Sequence, residues 1–140
     1  MAIFQGLTTS FKQQVLQGQQ NLATNDIWIA LYTGASTIGP DTTAYSVNNE
    51  VVGTNYSPGG QQLTGVTIGT SADGTIYINF NNAQWANASF TARGALLYNV
   101  TQANSSIAVL DFGADKTCSN QTFTVAMPAN TVSTALLRFI

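Results

Sequence analysis

Charge is what this sequence lacks. Of its 140 residues only four are basic (Lys12, Arg93, Lys116, Arg138) and six acidic, 7% in all, where an ordinary globular domain carries about a quarter. A soluble monomer keeps its surface wet with such groups. Here the exterior has to be built from Thr, Ser, Asn, Gln and Gly, or be hidden against other subunits. Hydrophobic residues still make up 44% of the chain, enough for a real core, and the length suits one domain spanning residues 1–140. An uncharged polar surface offers few ion pairs for salt to screen, which suits a protein held in a permanent assembly.

Several function classes fall away on the same grounds. A net charge of −2 without a basic cluster lacks the electrostatic footprint of nucleic-acid binding. No apolar run approaches the length of a membrane span, and Met1 to Gly18 lacks the basic region and apolar core of a secretory leader. Cys118 is alone and cannot form an internal disulfide. There is no histidine, so the commonest general base and metal ligand is missing, and with it every Ser-His or Cys-His arrangement. A zinc site would rest on one cysteine and a few carboxylates, and no phosphate loop of recognised spacing occurs. Asp111 and Asp115 are the nearest pair of the kind a glycosidase uses. Pairing of Asp111 with Arg93 and a turn position for Asp115 is the simpler reading. The expectation is a non-catalytic protein with no cofactor and no metal. Asn55, Asn87, Asn99, Asn104 and Asn120 begin Asn-X-Ser/Thr triplets, as chance provides in a chain so rich in these residues.

Periodicity predicts a mainly β fold. Leu7, Phe11, Val15 and Leu22 recur on one helical face, predicting one amphipathic α-helix over about residues 8–20, with Gly18 a place for it to stop. After Asn25 the chain reads as strand and turn. Ile27 to Tyr32 is apolar on both parities, so both its faces need a cover: the helix, a second sheet or a neighbouring subunit. Residues 34–62 are turn-rich and predict a long surface loop, with one short strand near Glu50 to Gly53 and a role as a contact arm. Across Ala72-Asp73-Gly74, only a three-residue loop with Gly74 left-handed sets Ile68 opposite Ile78 and Val66 opposite Phe80. Strands 92–99 and 105–112 predict Leu97 opposite Ile107, Ala95 opposite Val109 and an ion pair of Arg93 with Asp111. Strands 122–127 and 133–140 predict Phe123 opposite Leu137 and Val125 opposite Ala135. The count of about seven or eight short strands in hairpins argues for an antiparallel β-sandwich. Tyr45, Tyr56, Trp85 and Phe90 fall in loop-like stretches, and Tyr45 and Tyr56 are candidates for a protein interface.

Five blocks carry a likeness to known proteins. They are Gly6-Leu7-Thr8-Thr9-Ser10-Phe11-Lys12, Ile29-Ala30-Leu31-Tyr32-Thr33, Asn49-Glu50-Val51 with Gly53-Thr54, Ala92-Arg93-Gly94-Ala95-Leu96-Leu97-Tyr98-Asn99, and Val109-Leu110-Asp111-Phe112-Gly113-Ala114-Asp115-Lys116. Together they resemble a family of small virion structural proteins of tailed bacteriophages, over nearly the whole chain. The resemblance implies a place in the particle, assembled in the host cytoplasm, and no catalytic residues. A capsid decoration (cement) protein fits best: small, β-rich, bound to the major capsid protein outside the shell, as a homo-oligomer, often a trimer. A tail, baseplate or fibre component contacting tail proteins or host glycans is the alternative, and a small carbohydrate-binding domain the next. The candidate contact residues are Met1, Ala2, Ile3 and Phe4 in the N-terminal segment, with Tyr45 and Tyr56 in the loop.

Overall fold

The computed structural model describes residues 2–128 and 135–139. Its elements are strand β1 (Gly6–Leu7), helix α1 (Thr9–Leu16), β2 (Ile27–Tyr32), β3 (Gln61–Gln62), β4 (Thr67–Thr70), β5 (Ile76–Asn79), β6 (Ala83–Asn99), β7 (Ser105–Val125) and β8 (Leu137–Phe139). They form a five-stranded sheet in the order β1-β7-β6-β2-β3 and a three-stranded sheet β4-β5-β8, antiparallel throughout. One core cluster draws Ile29, Leu97 and Ile107 from the first sheet, Ile78 and Leu137 from the second, and Phe11 from the helix. The fold is the β-sandwich with one N-terminal helix that the periodicity predicts.

The helix is shorter than expected. Thr8 caps it, its hydroxyl accepting the Phe11 N–H at 3.2 Å, as an N-cap threonine does. Gly18 turns left-handed (φ +72°) and ends it, as glycine past a helix terminus does. Phe11 is buried and meets Phe139 edge-on, with ring centroids 6.0 Å apart. The helix therefore packs on its own sheets.

The β4–β5 hairpin has the expected register: Ile68 faces Ile78, Ser71 N–H bonds Thr75 O at 3.0 Å, and Gly74 has φ +90°. In the β6–β7 hairpin the expected register holds only beside the turn, where Tyr98 faces Ser106 and Asn99 faces Ser105. One residue further Leu97 faces Ala108, Leu96 faces Val109 and Gly94 faces Asp111. Leu97 is thus not opposite Ile107, nor Ala95 opposite Val109. The extra residue is Ile107, and its freed carbonyl accepts the Thr8 N–H at 2.9 Å and the Thr8 hydroxyl at 3.3 Å. The backbone bond continues the pairing of β1 with β7, Gly6 opposite Val109 and Leu7 opposite Ala108, into the start of the helix.

Two further expectations are corrected. Trp85 and Phe90 are buried in β6 and not in a loop. Strand β7 does not end at Phe112; it bulges at residues 112–115, opposite Arg93 alone, and runs on to Val125. Nor does its end pair with the C-terminal segment. Phe123 faces Trp85 and Val125 faces Ala83, while Leu137 faces Ile78 on β5. Phe123 is drawn there by an aromatic cluster, 4.9 Å from Phe90 and 6.2 Å from Trp85 between ring centroids, contacts worth about 1 kcal/mol each beyond area burial. Of the expected turn at 128–132 only Pro128 is among the described residues, and of the expected strand 133–140 residues 135–139 are, with Leu137–Phe139 forming β8.

Candidate assembly surface

Strand β2 sends Ile27, Ile29 and Leu31 into the main core, leaving Trp28, Ala30 and Tyr32 on the opposite face. That face is covered by the chain itself. Ile3 packs there with Ala30, Tyr32, Leu96, Tyr98 and Val109, and Ile38 and Tyr45 of the long loop close over them. The two covering segments are joined, Phe4 N–H bonding Ile38 O at 3.0 Å. Ile3 lies over Gly94, where a Cβ would come within 2.8 Å of its Cδ1. Ile3 at the N-terminus and Ile38 and Tyr45 in the long loop thus form a cover fitted to the chain's own sheet.

The expected short strand in this loop is reduced to single ladder contacts, Tyr32 with Glu50 and Thr54 with Ser89. What holds the loop is Glu50, buried. Tyr45 Oη donates to its Oε1 at 2.6 Å; Tyr56 Oη and the Gly59 N–H donate to its Oε2 at 2.6 and 2.8 Å. Tyr56 Oη in turn accepts the Leu31 N–H at 2.8 Å, Tyr98 Oη donates to Gly59 O at 2.6 Å, and Tyr32 Oη donates to Ser46 O at 2.6 Å. Tyr45 stacks on Tyr98 with ring centroids 4.8 Å apart. Gly60 lets the loop descend this close: at φ +79° a Cβ would lie 1.8 Å from Ile29 O.

Among the described residues no cation pairs with Glu50, so hydrogen-bond donors alone compensate its charge. Burial first, and the Glu50 carboxylate after it, raise the pKa of Tyr32, Tyr45, Tyr56 and Tyr98, Tyr98 to about 12. These phenols hold their protons through the neutral range. The network is built to fasten, since every donor in it is already committed to an acceptor.

The candidate contact residues meet different fates. Met1 lies outside the described residues. Ile3 and Tyr56 are consumed by the chain's own core, and Tyr45 is half-buried. Ala2 and Phe4 remain exposed, Phe4 by 64%. On the loop, Val47 and Val52 join them, Val52 at 93% exposed. Glu50 escaped the sequence reading. The signal that could have found it is a lone acid between Asn49 and Val51, with tyrosines five residues before and six after, in a chain that spares its charges.

Arg93 reaches Asp111 although Gly94 stands opposite it, with Nε 3.8 Å from Oδ1, and it also reaches Asp115 at 3.8 Å. The two carboxylates thus share one guanidinium at the β7 bulge, part-exposed. Such pairs are worth little, and Arg93→Ala is expected to cost less than about 1 kcal/mol in chemical denaturation. A larger loss would mean that the bulge depends on the ion pair. Asn55, Asn87, Asn104 and Asn120 have left-handed backbones, a conformation asparagine tolerates, and Asn99 is wholly buried. Backbone geometry accounts for four of the five triplets.

Among the described residues no group of three or more Cys, Asp or Glu is placed to hold a metal, and no helix is long and apolar enough to cross a membrane. No protein-family model, curated protein or solved structure matches the chain.

Proposed function

We propose that this chain is a non-catalytic structural protein of a bacteriophage virion, a decoration protein that binds the outer shell and stiffens it as a homo-oligomer. The observation that carries this reading is the cover: a loop whose one exposed charge is Asp41 and an N-terminal segment, both fastened to the sheet, with Phe4, Val47 and Val52 left standing on them. Exposed apolar side chains on an ordered frame are what an interface needs, and a stiff frame lowers the ordering cost of binding. The five blocks that resemble phage structural proteins supply the setting. Of the six acids Glu50 is buried among phenols, so the exterior carries one charge fewer than composition suggests.

Removing residues 1–7 would be a poor test, because Gly6 and Leu7 pair with β7 and Ile3 is buried. Phe4→Ser is the cleaner variant. Shell occupancy of purified virions is expected to fall about tenfold, the effect of losing one interface anchor, with the melting temperature unchanged. Cryo-microscopy of the same virions should place density on the shell. Density confined to the tail would favour the baseplate or fibre role instead, and unchanged occupancy would remove the cover from the contact.

A further inference from the structure

We propose that the groove between α1 and the three-stranded sheet seats a second copy of this chain, entered by Leu16 of the neighbour. The groove measures about 420 Å³ and is lined by Phe11 and Val15 on one side and Ile68, Ile76, Ile78 and Phe139 on the other. None of these carries charge, so the occupant's inserted part is apolar.

Its two lips are complementary to one another. The helix lip carries Leu16, 89% exposed at the last turn, with Lys12 exposed one turn earlier on the same side of the helix. The sheet lip carries Ile68, 48% exposed, and ends in the β4–β5 turn with Asp73. Arg138 does not disturb this pattern, since it shares the other face of the sheet with Tyr77. Laying the helix lip of one copy against the sheet lip of the next puts Leu16 into the groove beside Ile68 and Lys12 beside Asp73. A contact between two different patches of one chain closes into a ring when its rotation allows. The contact does not rest on the virion reading, because it belongs to the isolated protein.

The test is the molar mass of the purified full chain by light scattering across a concentration series. The wild type is expected to be a closed oligomer, and Leu16→Asp to weaken association at least about 100-fold, with an unchanged melting curve for the monomer. Lys12→Gln and Asp73→Asn are each expected to weaken it several-fold, and the double variant no more than either alone, the mark of a coupled pair. Asparagine keeps the acceptor oxygen that Ser71 Oγ and Thr75 N–H use, so the hairpin turn survives. A monomer at all concentrations, an oligomer indifferent to Leu16→Asp, or additive losses in the double variant would each overturn the proposal. Loss of shell binding by Phe4→Ser with the oligomer intact would separate this contact from the one on the cover.

Discussion

Glu50→Ala is expected to destabilise the fold by about 4 kcal/mol, more than most single surface or core truncations. The change strips the acceptor from two phenols and one backbone N–H at once. Each buried donor left unpaired costs roughly 1–3 kcal/mol, and bonds to an ionised acceptor sit at the strong end of the range. Water can reach the half-buried Tyr45 and recover part of its loss, which keeps the total below the full sum. Glu50→Gln is expected to cost about half as much. Its amide oxygen still accepts, but its NH₂ then faces a hydroxyl or N–H that must also donate. Tyr56 cannot simply turn round, because its oxygen already accepts from Leu31. Urea unfolding followed by tryptophan fluorescence measures both, and protease cutting within residues 45–60 reports whether the cover has lifted. A loss under about 1 kcal/mol for Glu50→Ala would mean that apolar packing of the loop, and not Glu50, holds the cover.

That residue also marks the limit of what the amino-acid order reveals. An acid in a turn-rich stretch reads as solvent-facing, and nothing local announces otherwise. Its burial depends on Tyr45 and Tyr56 from its own loop, and on a cover laid over Tyr32 and Tyr98, which come from two different strands. The same limit explains β8. Adjacent apolar runs suggest a local hairpin with residues 122–127, yet Leu137 faces Ile78, about sixty positions back in the chain. Choosing between a near and a distant partner of equal hydrophobicity needs the tertiary fold. By contrast β2 and the β4–β5 hairpin were legible because their signals are local: six apolar residues without a turn residue in one, parity across Asp73-Gly74 in the other.

Strand β6 failed for a third reason. Trp85, Ala88 and Phe90 all point inward, but the step from Trp85 to Ala88 breaks the alternation that defines a half-buried strand. A bulge in β6 at this step, with left-handed Asn87 inside it, absorbs the extra residue, and a compensating irregularity with left-handed Asn120 follows on β7. A period-two template skips such a strand even though its residues are strand formers. The N-terminal segment shows how fine the distinction becomes at the candidate surface. Ile3 and Phe4 are both apolar, yet Ile3 turns in over Gly94 among Tyr32, Leu96 and Tyr98 and Phe4 stays out. Composition could anticipate a sticky exterior; it could not say which side chains would remain on it.

Raising the pH should unfold the protein cooperatively, beginning near pH 10, where tyrosine ordinarily ionises. Tyr32, Tyr45, Tyr56 and Tyr98 all have folded-state pKa values above that, held up by burial first and by Glu50 next, Tyr98 at about 12. A group whose pKa is raised on folding contributes stability that is complete below its unfolded value and is lost as pH rises towards the folded one. Between pH 10 and 12 the unfolded chain therefore binds fewer protons than the native one. Each fully protected phenol then removes about 1.4 kcal/mol of stability per pH unit, the half-buried Tyr45 less. Acting together they can exhaust the roughly 5–15 kcal/mol of a typical domain within that window. Phenolate absorbance should appear in one step with the loss of native tryptophan fluorescence. Glu50→Gln removes the second cause of the shift, so its stability should start lower at pH 8 and fall less steeply above pH 10. If the four phenols ionise gradually while the fold persists, they reach solvent without unfolding, and the cover is a loose flap. One sharp transition, made shallower by Glu50→Gln, would instead tie the phenols, the carboxylate and the cover into one cooperative unit.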